Sequence, residues 1–241
     1  MSRRDAAPAV ARTLDVFELF ASVHTSLRLV DIAEATGIPA STCLGLLRSL
    51  QAQGYLWSAA RDRSFYPTTR LLALAEALSR RDEVVATARP LLESLRGRTG
   101  ETAVLAKRLG LDVIYLDVLE SPNTIRYAAP VGERKPLHSS ALGKACMSLL
   151  APKALDRLLG ELPMEPITPS TITDREQLKA EIVAGRERGW LSTRSENRPD
   201  VAAIAVGRIL AGERVGIAVA GPAGRIGARW DELVAIVTGA A

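Results

Sequence analysis

The feature that most constrains this sequence is a change in its hydrophobic period near residue 82. Residues 10–79 repeat apolar side chains mostly at helical spacing, whereas beyond residue 102 the period changes and several segments look like strands. Between the two stretches, Arg80, Arg81, Asp82 and Glu83 form a charged junction. The sequence therefore predicts an α+β protein with a domain at 8–70, a linker helix at 71–81 and a second domain at 82–241.

The first domain shows the order of a winged helix-turn-helix. We predict helices at Val10–Ala21 and Leu29–Thr36, a turn at Gly37, a helix from Pro39 to Gly54, and aromatic-rich strands at 55–57 and 64–66. A basic hairpin tip lies between the two strands. In this motif the second helix of the pair lies in the major groove of DNA, and the hairpin lies against the backbone.

The second domain is predicted to be a mostly antiparallel sheet flanked by helices. The expected strands are Thr102–Leu109, Val113–Leu119, Thr124–Ala129, Trp190–Thr193, Val201–Val206 and Arg214–Ala220. The expected helices are Val84–Arg98, Ala141–Leu150, Lys153–Leu159, Asp174–Arg188 and Trp230–Val237, with Thr173 and Glu176 as the capping box of the fourth.

Composition excludes several classes of protein. Hydrophobic residues make up 47% and charged residues 24% of the 241 positions, which is typical of a globular chain. The longest apolar runs fall far short of the ~20 residues of a membrane span, and no secretion signal is visible, so we expect a cytoplasmic protein. The net charge of +4 permits nucleic-acid binding without requiring it. Two histidines and two cysteines at unrelated spacings argue against a metal site, and no cofactor is expected.

Enzyme motifs fail at specific positions. Gly143-Lys144 lacks the earlier glycine and the following hydroxyl residue of a phosphate-binding loop, because His138 and Ala145 stand there. No Gly-x-Ser-x-Gly nucleophile motif occurs, and Cys146 lies among apolar residues of a predicted helix. We therefore expect a protein that is not an enzyme.

The sequence resembles the IclR-type bacterial transcriptional regulators over about Val10 to Ile226. The strings that carry the resemblance are Arg12–Val16, Asp31–Ile38, Ser41-Thr42, Leu46–Leu50, Gly100–Thr102, Gly132–His138, Ala141–Ala145, Gly189-Trp190 and Glu196. Each string is weak alone, and their joint order and spacing are specific. The resemblance implies a winged helix-turn-helix followed by a GAF-like effector-binding domain. It also implies a homodimer or homotetramer that binds a double-stranded DNA operator and a small-molecule effector.

The candidate DNA-binding residues lie on the third helix and at the hairpin tip. They are Ser41, Thr42, Gly45, Arg48, Arg61 and Arg63. Hydroxyl and guanidinium groups there suit phosphate or base-edge contacts, although a capping Ser/Thr pair and solvated arginines would look the same. Gly45 departs from the family, which usually has a basic residue there. It indicates either close backbone approach to DNA or, as we favour, weaker or relocated base readout.

The candidate effector-binding residues follow from the resemblance. They are Ser140, Ala141, Leu142, Thr193, Ser195, Glu196 and Ala203. Family members that sense carboxylates tend to carry an acidic residue and a cysteine where Thr193 and Ala203 stand. The effector is therefore expected to be less polar than a small keto acid.

Four alternatives stay open at this point. The N-terminal module could serve protein contacts only, in a metabolite-binding protein or an enzyme. The chain could also be an effector-independent regulator, with a sensor cavity filled by its own side chains. The small apolar candidates could simply belong to the core, and Glu196 could be a surface residue.

Overall fold

A computed structural model describes residues 8–59, 63–79 and 82–239 of an α+β protein. The chain falls into two compact units, residues 1–81 and residues 82–241. The separate linker segment at 71–81 stays a prediction.

The first unit is a helix-turn-helix with a two-stranded hairpin. Its elements are α1 (Pro8–Val23), α2 (Leu29–Thr36), α3 (Ala40–Ala52), β1 (Leu56–Ser58), β2 (Phe65–Pro67) and α4 (Arg70–Ser79). Gly37 ends α2 in the left-handed conformation, with φ of 67°, which suits a residue that has no Cβ. The core joins the first three helices to the hairpin through buried Val16, Ile32, Leu47 and Phe65.

The second unit is built on one antiparallel sheet of six strands. Its elements are α5 (Glu83–Thr99), β3 (Thr102–Leu109), β4 (Asp112–Leu119), β5 (Arg134–Pro136), α6 (Ala141–Ser148), α7 (Pro152–Glu161), α8 (Arg175–Arg188), β6 (Leu191–Arg194), β7 (Val201–Leu210), β8 (Glu213–Pro222), α9 (Ala223–Ala228) and α10 (Trp230–Gly239). The strand order is β5-β4-β3-β8-β7-β6. Every neighbouring pair is antiparallel.

Alternating side chains along the strands build a separate core on each face of this sheet. One face packs under α6, α7 and α8 and carries small residues such as Ala205, Ala218 and Ala220. The other face packs against α5 and α10 with larger branched residues such as Ile204 and Ile217. The small residues leave room on the α6 face.

Several predicted elements need correction. Thr124–Ala129 is not a strand, and the short strand next to β4 is β5 instead. The predicted capping box of Thr173 and Glu176 is wrong, because Asp174 is the N-cap residue and its carboxylate accepts a hydrogen bond from the backbone N–H of Gln177. The helix α9 was not predicted.

Across residues 8–59, 63–79 and 82–239, no helix combines the length and apolar composition that a membrane crossing requires.

Candidate functional site

The helix α3 presents one polar face to solvent and buries the other. The buried side carries Cys43, Leu47 and Leu50. Four of the predicted DNA-contact residues lie exposed on the helix: Ser41, Thr42, Gly45 and Arg48. The N-cap residue is Pro39, so Ser41 and Thr42 do not cap this helix. Within the described residues neither hydroxyl has a hydrogen-bond partner. Both hydroxyls are therefore available to an external partner.

Among the described residues, none crowds the position of Gly45. Apart from its chain neighbours and the backbone of its own helix, a Cβ placed there would meet no described atom within 4 Å, and the residue is exposed in the middle of α3. Its carbonyl accepts an ordinary hydrogen bond from the hydroxyl of Ser49 at 3.0 Å. The surroundings leave space for a side chain at this position, so steric crowding among the described residues does not explain the glycine.

Of the two candidate arginines in the hairpin, the structure describes Arg63. Arg63 is exposed and adopts a left-handed conformation with φ of 55°, and its backbone N–H donates to the carbonyl of Ala59. Arg61 lies outside the described residues.

The second unit holds a cavity between the start of α6 and the small-residue face of the sheet. It contains about 460 Å³ of space between protein atoms, including its opening to solvent. Its apolar wall is formed by Val104, Ala141, Leu142, Val201, Ala203, Ala218 and Ala220. Its polar and charged lining is formed by Tyr115, Tyr127, Lys135, Ser139, Ser140, Thr193, Asn197 and Arg198.

Five of the seven predicted effector residues line this cavity: Ser140, Ala141, Leu142, Thr193 and Ala203. Ser195 and Glu196, both described, are not among the lining residues. Ser195 lies in the turn after β6, where its carbonyl accepts a hydrogen bond from the Thr168 hydroxyl at 2.6 Å. The Glu196 carboxylate is buried against the ammonium of Lys144 instead.

The charged groups of the cavity are both cations. Lys135 and Arg198 line it, and no described lining residue carries a carboxylate. Just outside the lining, the Glu133 carboxylate lies 2.5 Å from the Lys135 ammonium and 3.7 Å from the Arg198 guanidinium. One carboxylate thus faces two cations, which leaves this end of the cavity with an excess positive charge.

Two tyrosines add a neutral polar pair. The hydroxyls of Tyr115 and Tyr127 lie 3.1 Å apart within hydrogen-bond distance. Burial is the main cause that raises the pKa of both phenols, so both stay protonated at neutral pH. Two hydroxyl protons serve one mutual hydrogen bond, which leaves one O–H free to donate to a ligand.

The start of α6 and the turn after β6 are tied together at the cavity. The Asn197 side-chain amide donates to the Ser139 hydroxyl at 3.0 Å. The Ser140 hydroxyl, at the N-cap position, accepts weakly from the backbone N–H of Gly143 at 3.5 Å.

The sequence reading missed the tyrosine pair and both cations. Tyr115 lies in a strand that was predicted correctly, but its neighbours Ile114 and Leu116 are both apolar, so the pattern does not tell which face of the sheet its side chain occupies. Lys135 and Arg198 lie in segments without a helical or strand period, where sequence spacing does not tell which side chain faces inward.

Comparison with known proteins places both units in one family. Residues 9–57 match the family described as the IclR helix-turn-helix domain. Residues 75–241 match the family described as bacterial transcriptional regulator IclR C-terminal. The chain is 36% identical over 216 residues to the HTH-type transcriptional regulator BhcR of Paracoccus denitrificans, covering 89% of this chain and 77% of that protein.

Solved structures share the fold. The IclR structure from Thermotoga maritima superimposes with a TM-score of 0.81 at 22% identity, covering 96% of this chain and 95% of the other. An IclR homologue from Microbacterium hydrocarbonoxydans, complexed with 4-hydroxybenzoate, superimposes with a TM-score of 0.78 at 23% identity, covering 96% and 95%. The chain therefore belongs to the IclR family and is a ligand-responsive transcriptional regulator, with a DNA-binding helix-turn-helix unit and an effector-binding unit.

Proposed function

We propose that the effector is a small organic monocarboxylate with an apolar or aromatic body. The observation that carries this proposal is the pairing of Lys135 and Arg198 with a lining that has no carboxylate of its own among the described residues. A bound carboxylate would compensate the excess positive charge, while Val104, Ala203 and Ala218 would cover the apolar body. The Tyr115–Tyr127 pair offers a hydroxyl to a second polar group of the ligand.

Calorimetric titration of the full chain tests this chemistry. Benzoate and 4-hydroxybenzoate are the probes, the second because a structural relative was solved with it. We expect both to bind more tightly than pyruvate, and the neutral 4-hydroxybenzamide to bind at least about tenfold more weakly. Tighter binding of the amide, or of pyruvate, would contradict the proposal.

The variant Arg198→Gln should weaken benzoate binding by about tenfold, because it removes one of the two cations. The matched control is Arg157→Gln on α7, whose side chain is 83% exposed and does not line the cavity. Equal affinities for the two variants would remove Arg198 from the site.

For DNA, we propose that Ser41, Thr42 and Arg48 contact the operator in the major groove, while Arg61 and Arg63 contact its backbone. The exposed, uncapped start of α3 supports this assignment. A pull-down of genomic fragments with the full chain, followed by sequencing, should enrich a few promoters at near-physiological salt. Uniform enrichment that disappears at modest salt would indicate electrostatic binding alone.

We further propose that the protein acts as a homodimer or a dimer of dimers. By its spacing, one face of α4 carries Leu71, Leu74 and Leu78. These side chains are 37%, 43% and 68% exposed. A second copy that covers this face would also present two reading helices to a two-fold operator. Light scattering on the wild type and on Leu74→Glu tests it, since the variant should shift the mass towards the monomer.

We also propose that the protein binds its ligands without catalysing a reaction, and that it does so in the cytoplasm, where chromosomal DNA is its target.

A further inference from the structure

The helix α6 carries a fully buried cation. The side chain of Lys144 is 0% exposed, although ammonium groups are rarely buried without a strong reason. Its Nζ lies 2.7 and 2.9 Å from the two carboxylate oxygens of Glu196 and 2.9 Å from Oε1 of Glu181. The carbonyl of Ser192 accepts at 3.3 Å. Because taking these ions out of water is energetically costly, an apolar side chain would fill this space at a lower cost.

The buried cluster joins three separate elements. Lys144 lies on α6, Glu181 on α8, and Glu196 in the turn of residues 195–200 between β6 and β7. The helix α6 packs on the sheet, and its first residues line the cavity. The side chain of Lys144 is therefore held in a constant position relative to the cavity.

The turn of residues 195–200 carries cavity residues directly next to the cluster. Glu196 points towards Lys144, whereas the following Asn197 and Arg198 line the cavity. The turn is closed by backbone hydrogen bonds from Ser195 to the carbonyl of Val201 and from Val201 to the carbonyl of Arg198. The carbonyls of Ser195 and Glu196 also accept hydrogen bonds from the hydroxyls of Thr168 and Thr171. Only the Glu196 carboxylate ties the turn to α6 through charge, among the described residues.

We propose that Lys144 and Glu196 are positioning residues that hold Asn197 and Arg198 at the effector cavity. The ion pair gives the turn one preferred arrangement, which an apolar contact of equal volume would not define as sharply. The role of the cavity itself rests on the proposed function, whereas the positioning of the turn does not.

Hydrogen–deuterium exchange on the full chain without ligand tests the positioning directly. In the variant Glu196→Gln, which keeps the shape of the side chain and removes its charge, we expect the amides of residues 195–200 to exchange about tenfold faster. Peptides from α5 and β3 should exchange at the wild-type rate. Unchanged exchange in the turn would overturn the proposal, and so would an equal increase throughout the domain, since that is the pattern of a merely structural defect.

Two control variants separate the pair from its surroundings. Glu181→Gln removes the other carboxylate of the cluster and leaves the Lys144–Glu196 pair intact, so exchange in residues 195–200 should stay near the wild-type rate. Lys179→Met removes a surface ion pair with Asp156 from the same helix and should have no effect on the turn. Faster exchange of the turn in either control would contradict a specific role for Glu196.

Binding provides the second readout. Glu196→Gln should weaken benzoate binding by about fivefold to tenfold at protein concentrations and temperatures where the variant is fully folded, because Arg198 is no longer held in place. A wild type that binds none of the tested carboxylates would defeat the proposed effector class, while the exchange experiment would still decide the role of Glu196. Faster exchange in the turn together with unaltered benzoate affinity would overturn the link to the effector cavity.

Discussion

Gly207, in the middle of β7, lies directly beneath the carbonyl oxygen of Ala145 in α6. A Cβ at position 207 would come within 2.6 Å of that oxygen, closer than real Cβ contacts allow. Its partner across the ladder, Gly216 of β8, lies in the same way beneath the carbonyl of Leu142, with 2.9 Å for its Cβ. These paired glycines fix how closely the helix approaches the sheet. They thereby also fix the position of the α6 N-terminus at the cavity.

Gly207→Ala should therefore destabilise the protein by about 1–3 kcal/mol, since the added methyl group meets helix backbone that cannot move aside freely. The free energy of unfolding from urea titration measures the effect. We also expect weaker benzoate binding, because α6 must shift.

The matched control for this substitution is Gly97→Ala. Gly97 is exposed in α5, and a Cβ there would meet nothing within 4 Å. Its replacement should raise stability by about 0.5–1 kcal/mol, as alanine does in helix interiors. Equal effects of the two substitutions would show that the backbone of α6 is not in close contact with Gly207.

Sequence patterns predicted the helices and strands correctly where a periodic segment also had a partner to pack against. The helices α2 and α8 and the strand β3 formed close to their predicted ranges, because their apolar residues face a core and glycines end both helices. The alternating segment Thr124–Ala129 had the pattern but no partner strand. Tyr127 and Ala129 are buried in the core there, while Ile125 is 74% exposed. The alternation therefore belongs to a loop that packs some of its side chains onto the core and not to a strand.

The cavity was predictable only in part, for a physical reason. The residues of α6 and of the strands could be assigned, since regular elements fix which side chains share a face. Lys135 lies in the three-residue strand β5, which is too short to show a sequence pattern, and Arg198 lies in the turn of residues 195–200. The partner of Glu196 depends on tertiary packing over 52 residues of sequence separation, which no local pattern encodes.

Gly45→Arg should increase the affinity for DNA. The open surroundings of position 45 accept the side chain without a clash, and the new charge adds a phosphate contact. Fluorescence anisotropy with a DNA duplex should show tighter binding and a salt dependence steeper by about one counterion.

The control is Gly45→Ala, which gives the same gain in helix propensity, about 0.5–1 kcal/mol, without the charge. If both variants bind DNA equally well, the charge is irrelevant and α3 does not approach the phosphates at this position.

The variant Arg63→Asn removes a positive charge from the hairpin and keeps its backbone conformation. Asparagine tolerates the left-handed conformation that Arg63 adopts, so the free energy of unfolding should stay within about 0.5 kcal/mol of the wild type. DNA affinity should fall for all sequences alike, with a salt dependence shallower by about one counterion. Unaltered DNA binding at low salt would show that this arginine does not touch the backbone.

The buried thiol of Cys146 should make the free energy of unfolding decrease at alkaline pH. Burial is the main cause that raises the pKa of its thiol from 9.0 to about 12. The folded protein therefore keeps a proton that the unfolded chain releases, so this stabilisation is complete below pH 9.0 and is lost as the pH rises towards about 12. Each pH unit within that window should cost about 1.4 kcal/mol.

The comparison of wild type with Cys146→Ala isolates this contribution, because Cys43, Tyr115 and Tyr127, whose pKa values are raised as well, are present in both proteins. Between about pH 8 and pH 10, urea titrations should show the wild type losing roughly 1 kcal/mol more than the variant. Iodoacetamide should leave Cys146 unmodified in the folded wild type over the same range, since the thiolate is the reactive form. Parallel pH profiles for the two proteins, or rapid alkylation of Cys146, would mean that the thiol is not held protonated between α6 and the sheet.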